Sequence, residues 1–195
     1  MPKKVDKNQK RKDITKLCYD LIIKEGFCNI TVSQIAKNAK MAKGSIYKYF
    51  DSKEDILFAL IKSIQNDYDN EIKKEIEKAD NVKDKILALF TLCIKDDEIN
   101  KSRRKIYKEF SSVCLSKSFS KMVEFQEEIK KRYIFWLRDI LKEGVRMGEI
   151  KADSIKLADG LFAMAEGVLL LSNYEPDILT NHIDTIFKLI KEERK

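Results

Sequence analysis

The sequence predicts an all-α fold: an N-terminal three-helix helix-turn-helix head, then a longer helical C-terminal domain, about nine helices in all. Breakers are scarce, with 6 glycines and 2 prolines in 195 residues. The runs between them are rich in Lys, Glu, Leu and Ile, which cost little in a helix. Apolar residues recur in these runs at i, i+3, i+4 and i+7, one face of a helix, and no stretch alternates with the period of two that a strand requires.

Residues 1–10, MPKKVDKNQK, are polar and basic and are expected to form a flexible arm. From Arg11, the residues Ile14, Leu17, Cys18, Leu21 and Ile22 make the first amphipathic stripe, and Gly26 stands where a residue of positive φ ends a helix. Thr31 and Gln34 have the spacing of a capping box, opening a short helix that buries Val32, Ile35, Ala36 and Ala39. A second short segment, Lys43 to Phe50, spaces Ile46, Tyr47 and Phe50 for burial. Two short helices across a tight turn, behind a longer supporting helix, form a helix-turn-helix layout.

Ser52 then caps a long helix with Glu54 and Asp55 in its first turn. Its stripe is Leu57, Leu60, Ile61, Ile64, Tyr68, Ile72 and Ile76, and Asp80–Asn81 break it. Further helical patterns cover about 82–95, 99–115, 119–146, 154–173 and 177–193. Gly144, Gly148 and Glu149 mark one exit, Asp153 and Ser154 the next start, and Pro176 suits a first turn.

The net charge of +7 is unevenly placed. Residues 1–53 hold 13 basic and 5 acidic side chains, a net of +8, whereas the remainder holds 26 and 27, a net of −1. Such a split is expected where one part of a chain meets a polyanion and the other does not. The 4 cysteines (Cys18, Cys28, Cys93, Cys114) lack metal-ligand spacing, and His182 is the single histidine, so no metal and no cofactor are expected. His182 reads as a surface or interface residue. No nucleophile–base pair and no phosphate-cradling glycine loop appears, so the chain does not read as an enzyme. The N-terminus lacks an apolar signal region, and the most apolar stretch, 157–171, is interrupted by Asp159 and Glu166. The expectation is a cytoplasmic protein without a membrane partner.

Residues 31–54, TVSQIAKNAKMAKGSIYKYFDSKE, resemble the DNA-binding signature of the TetR family of transcriptional regulators. Thr31, Ile35, Ala36, Ala39, Ile46, Tyr47, Tyr49, Phe50, Lys53 and Glu54 stand where that family places the same or similar types. The close resemblance covers about residues 11–60, with a looser one over LKEGVRMGEIKAD, 141–153. It implies that Lys43, Gly44, Ser45 and Lys48 sit near base edges and that Thr31, Tyr47, Tyr49 and Lys53 contact phosphates. The residue chemistry agrees: Lys43 can donate to guanine, Gly44 admits close backbone approach, and the hydroxyls stand at phosphate height. Tyr47 also reads as a core aromatic with an exposed tip, and Lys48 as a solvated face. The sequence departs from the family in the turn, where Lys40 and Ala42 replace the usual Gly and Ser or Thr. A lysine of positive φ costs about 1 kcal/mol, and Lys40 can add a phosphate contact instead.

The resulting domain expectation is a DNA-binding domain over 1–53 and a ligand-sensing and dimerisation domain over 54–195. One short reading helix covers too few bases for specificity, so a homodimer on a palindromic double-stranded operator is expected. Gly160, Met164, Gly167, Val168 and Leu171, with Ile183, Ile186, Phe187 and Ile190, are the candidate dimer surface; packing within the chain is the other reading. The resemblance implies a small-molecule effector in the middle helices, with Phe90, Cys93, Phe110, Cys114, Phe125, Tyr133 and Trp136 as candidate pocket residues. The run Lys101–Lys105 reads either as facing an anionic ligand or as a solvated face. The competing function is a ligand-independent DNA-binding or architectural protein whose C-terminal domain serves only dimerisation or a protein partner.

Overall fold

The structure, a computed structural model, describes residues 6–116, 119–171 and 175–191. Among these the protein is all-helical, with ten α-helices and two short 3-10 segments. An isolated antiparallel bridge joins Ile150 and Lys191. The described residues fall into two compact units: one from Met1–Asn66 and Lys105–Val123, the other from Asp67–Arg104 and Glu124–Lys195.

In the first unit, α1 spans Lys7–Glu25 and starts four residues before the expected point, because Asp6 caps it by accepting from the Asn8 amide. Residues 7–10 of the expected arm are therefore helical, and residues 1–5 lie outside the described residues. Ile14, Cys18 and Ile22 are buried as expected, whereas Leu17 is exposed. Burial pushes the Cys18 thiol up to about 12, so it is a packing group rather than a nucleophile. Gly26 ends the helix at φ 78, and its amide donates to Ile22 O at 2.9 Å. A 3-10 turn, Phe27–Asn29, leads to α2, Val32–Asn38, and α3, Lys43–Ile46. The long α4, Lys53–Lys78, and α7, Glu98–Leu115, each contribute residues to both units. Lys105 on α7 donates to Ile23 O, where the last carbonyls of α1 need partners.

The second unit holds α5 (Val82–Leu89), α6 (Thr91–Ile94), most of α8 (Ser120–Arg146), α9 (Ala158–Leu170) and α10 (Pro176–Ile190). The pattern over 82–95 predicts one helix, but it divides at Phe90. There the Leu92 amide leaves the helix ladder and donates to Tyr68 Oη at 2.6 Å. Arg104, 6% exposed, caps the end of α6: it donates to Leu92 O at 3.1 Å and Lys95 O at 2.7 Å and pairs with Asp96 at 2.9 Å. The start of α5 is held twice, by Asn81 Oδ1 accepting from the Asp84 amide and by Glu149 Oε2 accepting from the Val82 amide. The α9 region opens as a 3-10 turn, Ala152–Leu157, rather than as regular helix, with Lys151 in place of the expected Asp153–Ser154 cap. The expected helix ends at 172–173 and 192–193 lie outside the described residues.

Candidate nucleic-acid interface

Thr31 opens α2 with a complete capping box. Its Oγ1 accepts from the Gln34 amide at 3.2 Å, and its own amide donates to Gln34 Oε1 at 2.7 Å. Ile35 and Ala36 turn inward. The helix leaves through Lys40 at φ 52, whose amide donates to Lys37 O, while the Met41 amide donates to Ala36 O at 2.9 Å. This pair of bonds is a Schellman ending with lysine in the left-handed position that glycine usually takes.

The recognition segment begins at Ala42, which offers no side-chain cap, and only Lys43–Ile46 are regular helix before three further residues of turn. The expected helix to Phe50 is thus shorter, though its rows of side chains persist. Residues four apart share a row on such a segment. Lys43 and Tyr47 form one exposed row, and Gly44 and Lys48 a second; Ser45 and Tyr49 are half-buried. Ile46 and Phe50, each 1% exposed, are the core row. Tyr47 is 49% exposed and therefore belongs to the surface, not the core. A Cβ added at Gly44 meets nothing within 4 Å, so that backbone is open to a molecule outside the chain.

Two cations brace this unit, one at the turn before α2 and one at the end of the recognition segment. Lys53 Nζ donates to the carbonyls of Phe27 (2.9 Å), Ile30 (3.1 Å) and Cys28 (3.4 Å), and sits 4.5 Å from the centre of the Phe27 ring. Its ammonium closes the turn that leads into Thr31. Arg11 on α1 donates to Tyr49 O, lies 3.5 Å from Asp55 Oδ2 and stacks 4.4 Å over Phe50. Arg11 was not among the residues singled out by sequence reasoning, because its partners lie 38 and 44 positions away.

Residues 14–60 match the signature described as "Bacterial regulatory proteins, tetR family". The fatty acid metabolism regulator protein of Bacillus subtilis (strain 168) is 30% identical over 149 residues, covering 74% of this chain and 73% of the relative. The chain belongs to the TetR family. A regulator from Saccharomonospora viridis, solved in complex with choline, has the same fold at a TM-score of 0.81 and 16% identity, over 96% of this chain and 100% of that one. The fatty acid degradation regulator FadR of Bacillus halodurans gives 0.65 at 22% identity, over 96% and 95%. This TetR-family chain is a transcriptional regulator and not an enzyme. Among the described residues no helix is long and apolar enough to cross a membrane.

The other candidate residues are distributed as follows. Phe90, Cys93, Phe125 and Tyr133 are buried in the second unit with Trp136 half-buried, whereas Phe110 and Cys114 are buried in the first. Tyr133 stands 5.2 Å from Trp136 and 6.4 Å from Phe162, ring centre to ring centre, and Tyr133 Oη is 3.1 Å from Asp69. Burial raises the Cys93 thiol, helped by the charge of Glu166, and pushes Cys114 up to about 11. An open cleft of about 430 Å³ in the second unit is lined by other residues, among them Lys83, Glu149, Asp184, Phe187 and Lys188. The cations of the run Lys101–Lys105 are engaged within the chain rather than simply solvated. Lys101 pairs with Glu98, Arg103 binds Glu71 through two bonds of 2.7 Å, and Arg104 and Lys105 cap carbonyls as described.

Of the candidate dimer residues, Val168 and Ile183 are buried within the chain. Gly160, Gly167 and Leu171 are exposed, and Met164, Ile186, Phe187 and Ile190 are half-buried. His182 is exposed, with Nδ1 2.7 Å from Ile178 O.

Proposed function

We propose that the chain is a ligand-responsive repressor that binds a palindromic operator as a homodimer, with residues 1–53 serving DNA binding and 54–195 sensing and dimerisation. The observation that carries this reading is the pair of exposed rows, Lys43/Tyr47 and Gly44/Lys48, set directly over the buried Ile46 and Phe50. Lys43, Ser45 and Lys48 read base edges, with Gly44 allowing the approach. Thr31, Tyr47 and Tyr49 hold phosphates, and Lys53 serves the same surface by fixing the turn before Thr31.

Dimerisation through α9 and α10 is supported by the glycines. A Cβ at Gly160 or Gly167 meets nothing within 4 Å in this chain, although glycine inside a helix costs about 1 kcal/mol relative to alanine. A helix of a second copy approaching closely supplies the missing reason. Leu171, Ile186, Phe187, Ile190 and the exposed Leu189 surround that surface, while Val168 and Ile183 support it from within. Response to a small organic effector is supported by the choline complex of the Saccharomonospora viridis neighbour. The candidate residues are the aromatic and thiol groups of the second unit, Phe90, Cys93, Phe125, Tyr133 and Trp136; Phe110 and Cys114 belong to the core of the first. An effector that binds the operator-incompetent state better shifts the population away from DNA.

Footprinting on DNA upstream of its own gene, repeated with a panel of small hydrophobic and cationic compounds, tests the reading. A protected two-fold site released by one compound is the expected result. Protection that no compound alters turns the reading to a ligand-independent regulator. Lys43→Ala is expected to lower discrimination at one base pair by about 1–3 kcal/mol.

A further inference from the structure

We infer that Arg11 is a positioning residue for operator recognition: from α1 it fixes the end of the recognition segment to the first turn of α4, setting the angle at which Lys43–Lys48 meets DNA. The inference rests on the proposal that this segment reads the operator.

The recognition segment has little rigidity of its own. Only four residues are regular helix, Ala42 supplies no cap, and the Lys48 amide reaches Ser45 O at a long 3.4 Å. Its orientation must therefore come from tertiary contacts. Ile46 and Phe50 fix its depth in the core, but apolar contacts are non-directional and leave its rotation and tilt loosely set. Directional bonds are needed, and Arg11 makes them. Its guanidinium donates to the carbonyl of Tyr49 at the segment's C-terminal end.

The other end of the fork faces Asp55, whose carboxylate is nearly buried. Asp55 in turn accepts from the Asp51 amide at 3.4 Å, and its own amide donates to Ser52 Oγ at 3.1 Å. One planar group thus joins α1, residue 49 and the first turn of α4, with the Phe50 ring as its floor. Arg11 uses separate nitrogens for the two partners, Nη1 for Tyr49 O and Nη2 for Asp55 Oδ2, and a lysine at position 11 has a single nitrogen in place of this planar fork. About two-thirds of the Arg11 side chain is covered, and the donors that make these contacts point inward.

The test uses the full chain as Arg11→Lys and Arg11→Met. The probes are a duplex selected by the wild-type protein from a random library and a random-sequence duplex of equal length. For Arg11→Lys, the ratio of specific to non-specific affinity is expected to fall about tenfold, with non-specific affinity and its salt slope unchanged. A lysine that preserves the ratio overturns the inference, because a phosphate contact needs only the charge. A salt slope lowered by about one on both duplexes in Arg11→Met overturns it too. If Arg11→Met does not fold, Arg11→Lys alone decides by the ratio. If the wild-type protein selects no sequence, the operator reading fails by itself. Amide exchange at residues 47–51 then still decides for Arg11: faster exchange in Arg11→Lys is expected, and unchanged exchange overturns the clamp.

Discussion

Helices α2 and α3 are both short, one burying Ile35 and Ala36 and the other Ile46, yet they begin in different ways. α2 carries its own starting signal in the reciprocal bonds of Thr31 and Gln34. α3 starts at an uncapped Ala42, after a lysine in a left-handed conformation. α2 is locally specified, and α3 is specified by what it packs against. A helix of four residues cannot persist on its own in water. Its shape is therefore inherited from Ile46, Phe50 and Arg11, and this frees its outer residues from the task of stabilising the helix.

The largest test of this contrast is Phe50→Ala. Phe50 is 1% exposed and is also the floor under Arg11. Truncation is expected to cost about 3–5 kcal/mol and to abolish sequence-specific DNA binding, with thermal denaturation and operator titration as the measurements. A loss below about 1 kcal/mol would mean that α3 is held by something other than its core row.

Thr31→Ala comes next and strikes the locally specified helix. Losing the cap is expected to cost about 1 kcal/mol, and Thr31→Ser to restore most of it. Hydrogen exchange should quicken in the first turn of α2 and leave residues 43–49 nearly unchanged. Equal loosening of both helices would show that the two starts are coupled.

The same contrast explains what was legible in the sequence. Thr31–Gln34 and Gly26 are local patterns that the structure contains, and of the expected stripe Ile14, Leu17, Cys18, Leu21 and Ile22 it buries Ile14, Cys18 and Ile22, with Leu21 half-buried and Leu17 exposed. The family signature was legible for the same reason, since it lies within one contiguous stretch. The division at Phe90 was not legible, because the group that takes the Leu92 amide is Tyr68, on another helix. Neither was the work of Lys101–Lys105, whose partners include Glu71 and the carbonyl of Ile23. Arg11 is the clearest case: it reads as one more basic residue near the N-terminus until residues 49, 50 and 55 are folded against it. Asp6 is different. Its cap was available to a local reading, and the basic composition around it concealed a helix start.

The smallest expected effect on stability is the most informative about function, and it concerns Lys40. At φ 52 a lysine pays about 1 kcal/mol that glycine avoids. Glycine gives back roughly 0.5–1 kcal/mol through the greater freedom of the unfolded chain. Lys40→Gly is therefore expected to leave stability within a few tenths of a kcal/mol of the starting protein, or slightly above it. If the lysine has no other task, DNA binding should be equally indifferent. Its side chain is exposed, however, two residues past the end of α2 and three before Lys43. On the proposed operator reading, a cation there meets a phosphate flanking the bases contacted by residues 43–48. The expected result is affinity lowered for every sequence alike and a salt slope reduced by about one. A stable Lys40→Gly protein with an unchanged slope would remove Lys40 from the DNA-facing set. A reduced slope would show that this strained turn is kept for its charge, just where the chain departs from the glycine usual in its family.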